Sequence, residues 1–153
     1  MNNINLGKVV LGGLLAGLVL NIGEFLLNDF VLGSQMREFM ARHNFRDPGT
    51  NFMIAAVSLT FLMGIVIVLG YAMIRPRLGP GVKTAIIAGL FAWFGVYFYT
   101  GILHSMLFGI PTGTTIMVLV WGLVQYALAA IAGAWLYKEA KIAIALARPR
   151  GFN

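Results

Sequence analysis

The chain of 153 residues has no cysteine, only five acidic residues, and charged residues at just 10%. The missing cysteines exclude disulfides, thiol catalysis and thiolate metal sites. The scarcity of charge excludes more. A soluble domain of this length carries about a quarter charged residues. An ordinary soluble domain, a disordered chain and a nucleic-acid-binding module are therefore all poor fits. The deficit is also localised: from Pro48 to Ile74, and again from Thr84 to Tyr137, there is no Asp, Glu, Lys or Arg.

What is present is apolar. Hydrophobic residues make up 59% of the chain, and the mean hydropathy is +0.86. The stretch 84–137 would be roughly 80 Å long as one helix, at about 1.5 Å per residue. A bilayer core is only about 30 Å thick, so the chain must turn back once. Gly109-Ile110-Pro111-Thr112-Gly113 is the place where Gly and Pro break the helix. The sequence thus predicts an all-α polytopic membrane protein: a single membrane domain built as a four-transmembrane-helix bundle. The expected spans are 8–32, 52–74, 84–108 and 114–137, followed by a cytoplasmic tail at 138–153. Lys8 before an apolar run resembles a signal peptide, but the run continues to Leu32 with no A-x-A-like cleavage site, so it reads as a retained helix.

With four spans, one side carries both termini and the Arg75–Lys83 link. It holds Lys8, Arg75, Arg77, Lys83, Lys138, Lys141, Arg148 and Arg150, against Arg37, Arg42 and Arg46 on the other. Basic residues accumulate on the cytoplasmic side, which predicts that both termini are cytoplasmic. In the longest link, Met36, Phe39, Met40 and His43 recur at helical spacing, with Arg37, Glu38 and Arg42 on the rest of the wheel. This predicts a short amphipathic helix on the outer surface. A weak echo, Gly13-Leu-Leu-Ala16 against Gly89-Leu-Phe-Ala92, is compatible with a duplicated hairpin.

Each span has a small or polar stripe. In the first, Gly13, Gly17, Asn21, Glu24 and Asn28 lie within about 80° of one another. The second has Ala56, Thr60, Gly64 and Tyr71; the third Gly89, Trp93, Tyr97, Thr100 and His104; the fourth Gly122, Gln125, Ala129 and Gly133. Lipid satisfies no polar group, so these stripes are expected to face one another. Gly13, Gly17, Gly64, Gly89, Gly122 and Gly133 are the expected helix-packing residues. Asn21, Glu24, Asn28, Tyr97, Thr100, His104 and Gln125 are the candidates for a polar, ligand-binding cavity opening outward.

Glu24 carries the sharpest signal, since a carboxyl inside a span costs about 2.5–3.5 kcal/mol on insertion scales. It is either a working group or a hydrogen-bonded pin between helices. His104 is either its partner or a histidine at a helix end. Tyr97 and Gln125 also serve as polar glue between helices. Trp135 and Tyr137 fit an interfacial aromatic belt. No catalytic constellation assembles around Ser58 or Ser105, Gly79-Pro80-Gly81 is a turn rather than a phosphate loop, and no ligand spacing for a metal or haem occurs.

The stretches Asn21-Ile22-Gly23-Glu24-Phe25 and Ala132-Gly133-Ala134-Trp135-Leu136-Tyr137-Lys138-Glu139, with Arg75-Pro76-Arg77 between them, resemble small uncharacterised bacterial integral membrane proteins. The resemblance implies a bacterial inner-membrane location and brings no activity, cofactor or binding residue. The expected function is a non-enzymatic accessory subunit or small-ligand-binding bundle. Its expected partners are membrane lipids, a homo-oligomer or a larger membrane complex, not nucleic acid, and no cofactor is expected. Two alternatives stand: a proton- or solute-transport subunit using Glu24 after oligomerisation, and a small intramembrane enzyme using Glu24 and His104.

Overall fold

The computed structural model describes residues 4–46 and 48–147. Its elements are all helical among the described residues: α1 (Leu6–Val31), α2 (Gly33–Arg42), α3 (Thr50–Leu78), α4 (Val82–Phe108) and α5 (Thr112–Ala147). Four of them, α1, α3, α4 and the Thr112–Tyr137 part of α5, are long and apolar enough to cross a membrane. One end of the bundle carries the start of α1 and the α3–α4 link. The other carries α2 and the α4–α5 link.

The helix ends follow local chemistry. Asn5 caps α1 by accepting the Lys8 backbone N–H at 3.2 Å. α3 runs four residues past the expected end, through Pro76 to Leu78. A proline in the last turn forfeits one backbone bond, but the Gly79 N–H still closes on Arg75 O at 2.9 Å. Gly79 and Gly81 then take φ of +80° and +138°, conformations that favour glycine. The turn is tied down by Thr84 Oγ1, which donates to Gly79 O at 2.8 Å, and by Tyr71 Oη, which accepts the Gly81 N–H at 3.3 Å. At the opposite end Gly109, with φ of +63°, terminates α4. There Ser105 and Thr115 join their hydroxyls at 2.7 Å. The α5 helix extends beyond the fourth candidate span to Ala147, and Arg148-Pro149-Arg150 lies outside the described residues.

Close packing depends on glycine. α1 lies between α3 and α5, and α4 packs on α5. A Cβ on Gly17 would stand 2.7 Å from Phe61 Cα of α3, and one on Gly64 would strike the α1 backbone at Gly13 and Gly17. A Cβ on Gly12 would stand 2.6 Å from Gly133 O, and one on Gly89 2.7 Å from Tyr126 O. The six glycines singled out in the sequence all sit at helix–helix contacts, and Gly12 and Gly23 join them. Around these contacts lies a core of Leu20, Ile67, Val68, Tyr71, Ala129 and Ala130, all buried.

The seal is uneven. In α3 the buried residues begin only at Gly64, and in α4 they end at Gly89. The α2-end halves of both helices bury nothing completely. The bundle is therefore tight at the end bearing the α3–α4 link and looser at the other, where α1 and α5 still bury Leu27 and Thr115. The expected surface helix exists as α2: Phe39 and Met40 are half-buried, while Met36 and His43 are exposed. The Phe39 ring lies 6.2 Å from that of Phe108, and Glu38 pairs with Arg42 at 2.5 Å.

Candidate functional site

Glu24 sits where the tight half gives way to the loose one. Its carboxylate reaches from α1 to both α4 and α5. The Tyr97 hydroxyl of α4 donates to Oε1, and the Gln125 amide of α5 donates to the same oxygen at 2.7 Å. The same amide donates to Tyr97 Oη at 3.0 Å. Among the described residues Oε2 receives only Asn28 Nδ2, at 3.3 Å, and that amide also donates to Glu24 O at 2.8 Å. Three helices thus converge on one carboxylate.

Gln125 is held from behind. Trp121 lies one turn earlier on α5, and its indole N–H donates to Gln125 Oε1 and to Gly23 O, each at 3.1 Å. An indole nitrogen can only donate. It therefore turns the amide oxygen toward itself and the amide nitrogen toward Glu24. Gly23 makes room: a Cβ there would collide with the Gln125 side chain. Gly122 does the same for Tyr97, whose ring would lie 2.5 Å from a Cβ at that position. The Tyr97 ring stands edge-on to that of Tyr126 at 5.5 Å.

Of the seven sequence candidates, the structure brings together Glu24, Asn28, Tyr97 and Gln125. Asn21 turns to α3, donating to Val57 O at 3.5 Å and to Gly17 O at 2.9 Å. Thr100 bonds back to Val96 O on its own helix. His104 is exposed, its ring 6.0 Å from that of Phe108, and it makes no hydrogen bond to Glu24.

The expected α4 stripe fails past Tyr97 for a definite reason. Phe94–Tyr99 is a π-helical turn, with i→i+5 bonds and an extra residue relative to an α-turn. That insertion rotates the remainder of α4 by roughly one residue, about 100°. Gly101 and Ser105 thereby take the inward places: a Gly101 Cβ would meet Leu119 Cδ2 at 3.3 Å, and Ser105 reaches Thr115. Thr100 and His104 swing off that face. A second π-turn, Leu26–Val31, comes after Glu24 on α1.

Sequence reasoning missed Trp121, although it lies four residues before Gln125 and so shares its face. A separate cleft of about 580 Å³ opens at the α2 end between α2 and the α4–α5 link, lined by Leu32, Phe39, His43, Phe108 and Thr114 among others. Neither Glu24 nor His104 lines it. Among the described residues no three His, Asp or Glu side chains gather into a metal-binding group.

What fold and site together define is a bundle of four candidate membrane-spanning helices with one carboxylate in its interior. No protein-family model matches the chain, and comparisons with curated proteins and with solved structures return no match either.

Proposed function

We propose that this is a non-enzymatic, multi-pass protein of a bacterial cytoplasmic membrane whose helix bundle binds a small ligand at Glu24. The excess of Lys and Arg on the side of the α3–α4 link supports cytoplasmic termini. The α2 end then faces outward, and the bundle is loose on that side. The observation that carries the reading is the convergence of Tyr97, Gln125 and Asn28 on one half-buried carboxylate. A carboxylate that served only to pin helices would be closed off on both oxygens, whereas Oε2 keeps one long bond to an exposed residue.

A transport role using the same carboxylate in an oligomer is the second reading, favoured by the looser packing of α3 and α4 toward one end. No observation favours an enzyme built on Glu24 and His104, since no hydrogen bond joins the two side chains among the described residues.

The test is an experimental map of the protein in lipid nanodiscs. Non-protein density against the Oε2 side of Glu24 in the wild type, absent from Glu24→Gln, supports the reading. A site closed over by apolar side chains in both proteins overturns it.

A further inference from the structure

We propose that the ligand held at Glu24 is a lipophilic monovalent cation, a quaternary ammonium or phosphonium carrying apolar groups. This rests on the reading of Glu24 as the ligand site.

Charge is the first argument. No Lys or Arg occurs between Lys8 and Arg37, from Pro48 to Ile74, or from Thr84 to Tyr137. The spans around Glu24 therefore contain no basic residue near its depth to neutralise it, and His104 lies elsewhere. The Glu38–Arg42 pair is on the exposed face of α2. Glu24 thus has no cationic partner among the described residues.

The hydrogen bonds are the second. Tyr97, Gln125 and Asn28 all act as donors to the carboxyl group. Trp121 enforces that role on Gln125 by occupying its oxygen. Three donors suit an ionised carboxylate, which can only accept. An ionised carboxylate in a low-dielectric bundle without a counter-charge is costly. Supplying one positive charge from outside removes that cost, and the site has one negative charge to offer.

The third argument chooses among cations. A hard metal ion takes six or more oxygens, but the open side here offers Oε2 and the amide of Asn28. What lies beside the carboxylate instead is aromatic: Tyr97, whose hydroxyl bonds it, and Trp121, bonded to the neighbouring amide, both half-buried. Aromatic rings beside a carboxylate recognise organic cations through the negative faces of their π-systems. The surroundings select the same class. The α2-end halves of α3 and α4 present Phe52, Val57, Phe94 and Phe98 on the outer, apolar surface of the bundle. A cation with its own apolar groups is at home against such a surface; a strongly hydrated ion is not.

The experiment is calorimetric titration of the detergent-purified full chain with tetraphenylphosphonium. Tetraphenylborate, equal in size and opposite in charge, serves as the control. The wild type is expected to bind the phosphonium at one per chain and the borate at least about tenfold more weakly. Glu24→Gln, with its thermal melting recorded alongside, is expected to lose at least about tenfold in phosphonium affinity. Equal binding of the two ions by the wild type overturns the proposal whatever the variant does. So does a Glu24→Gln protein that melts like the wild type and keeps its affinity. Density at Glu24 in nanodiscs without phosphonium binding would remove the cation and leave the ligand site standing.

Discussion

The indole N–H of Trp121 donates to Gln125 Oε1 at 3.1 Å, and this one bond sets which end of the amide Glu24 sees. Without it, the amide is free to flip and point its oxygen at the carboxylate. Trp121 is therefore a positioning residue for a group it does not touch.

Trp121→Phe keeps an aromatic ring and deletes the donor. Hydrogen bonds between membrane helices contribute about 0.6–2 kcal/mol, and this nitrogen serves two acceptors. The midpoint of thermal unfolding in detergent should fall accordingly. Trp135→Phe, at a 56% exposed position, should leave melting unchanged. If both variants melt alike, the indole bond contributes nothing.

Glu24→Gln and Glu24→Leu should separate. The glutamine can keep its carbonyl oxygen where Oε1 now accepts Tyr97 and Gln125, and its amide nitrogen forfeits only the long bond from Asn28, which keeps Glu24 O as its acceptor. Folding should stay within about 1 kcal/mol of the wild type. Leucine leaves the Tyr97 hydroxyl facing no acceptor and Gln125 Nε2 with Tyr97 Oη alone, at about 1–3 kcal/mol for the unsatisfied hydroxyl. A leucine variant as stable as the glutamine variant would contradict the hydrogen-bond geometry.

The α1–α3 contact predicts steric sensitivity. Gly17→Leu and Gly64→Ala each force a side chain into the opposing backbone, and overpacking of this kind costs about 1–3 kcal/mol or more. Leu18 is 47% exposed, so Leu18→Ile should be mild. Comparable melting of Gly17→Leu and Leu18→Ile would show that the two helices do not meet there.

Orientation is open to thiol labelling in intact cells. Gly79 and Asn44 are poor sites for the probe, since φ is +80° at one and +52° at the other. Val82 and Phe45 are exposed at the same two ends, at 57% and 51%. With the termini in the cytoplasm, Phe45→Cys should react with an impermeant reagent and Val82→Cys should not. The reverse pattern would invert the topology.

The polar site was half legible. Glu24 announced itself because a carboxyl among apolar residues has an obvious cost. Asn28, Tyr97 and Gln125 shared the inward stripes under simple helical periodicity. Trp121 carried a signal too, its spacing from Gln125. It was masked because tryptophan in an apolar span reads equally well as a lipid-facing or interfacial residue. His104 and Thr100 were drawn into the site by extrapolating 100° per residue along α4.

The sequence by itself determined the number of helices long and apolar enough to cross a membrane, and their small-residue faces. Lipid imposes a minimum apolar length and forbids unsatisfied polar groups, and both constraints act on composition and spacing alone. Only the tertiary structure decided which residues meet. The π-turn at Phe94–Tyr99 inserts a residue that no periodicity rule contains, and it exchanges Thr100 and His104 for Gly101 and Ser105 on the inward face. The direction of the Gln125 amide depends on Trp121 and Gly23 from two different helices. Such choices rest on packing and hydrogen bonds between helices, and those exist only once the helices are side by side.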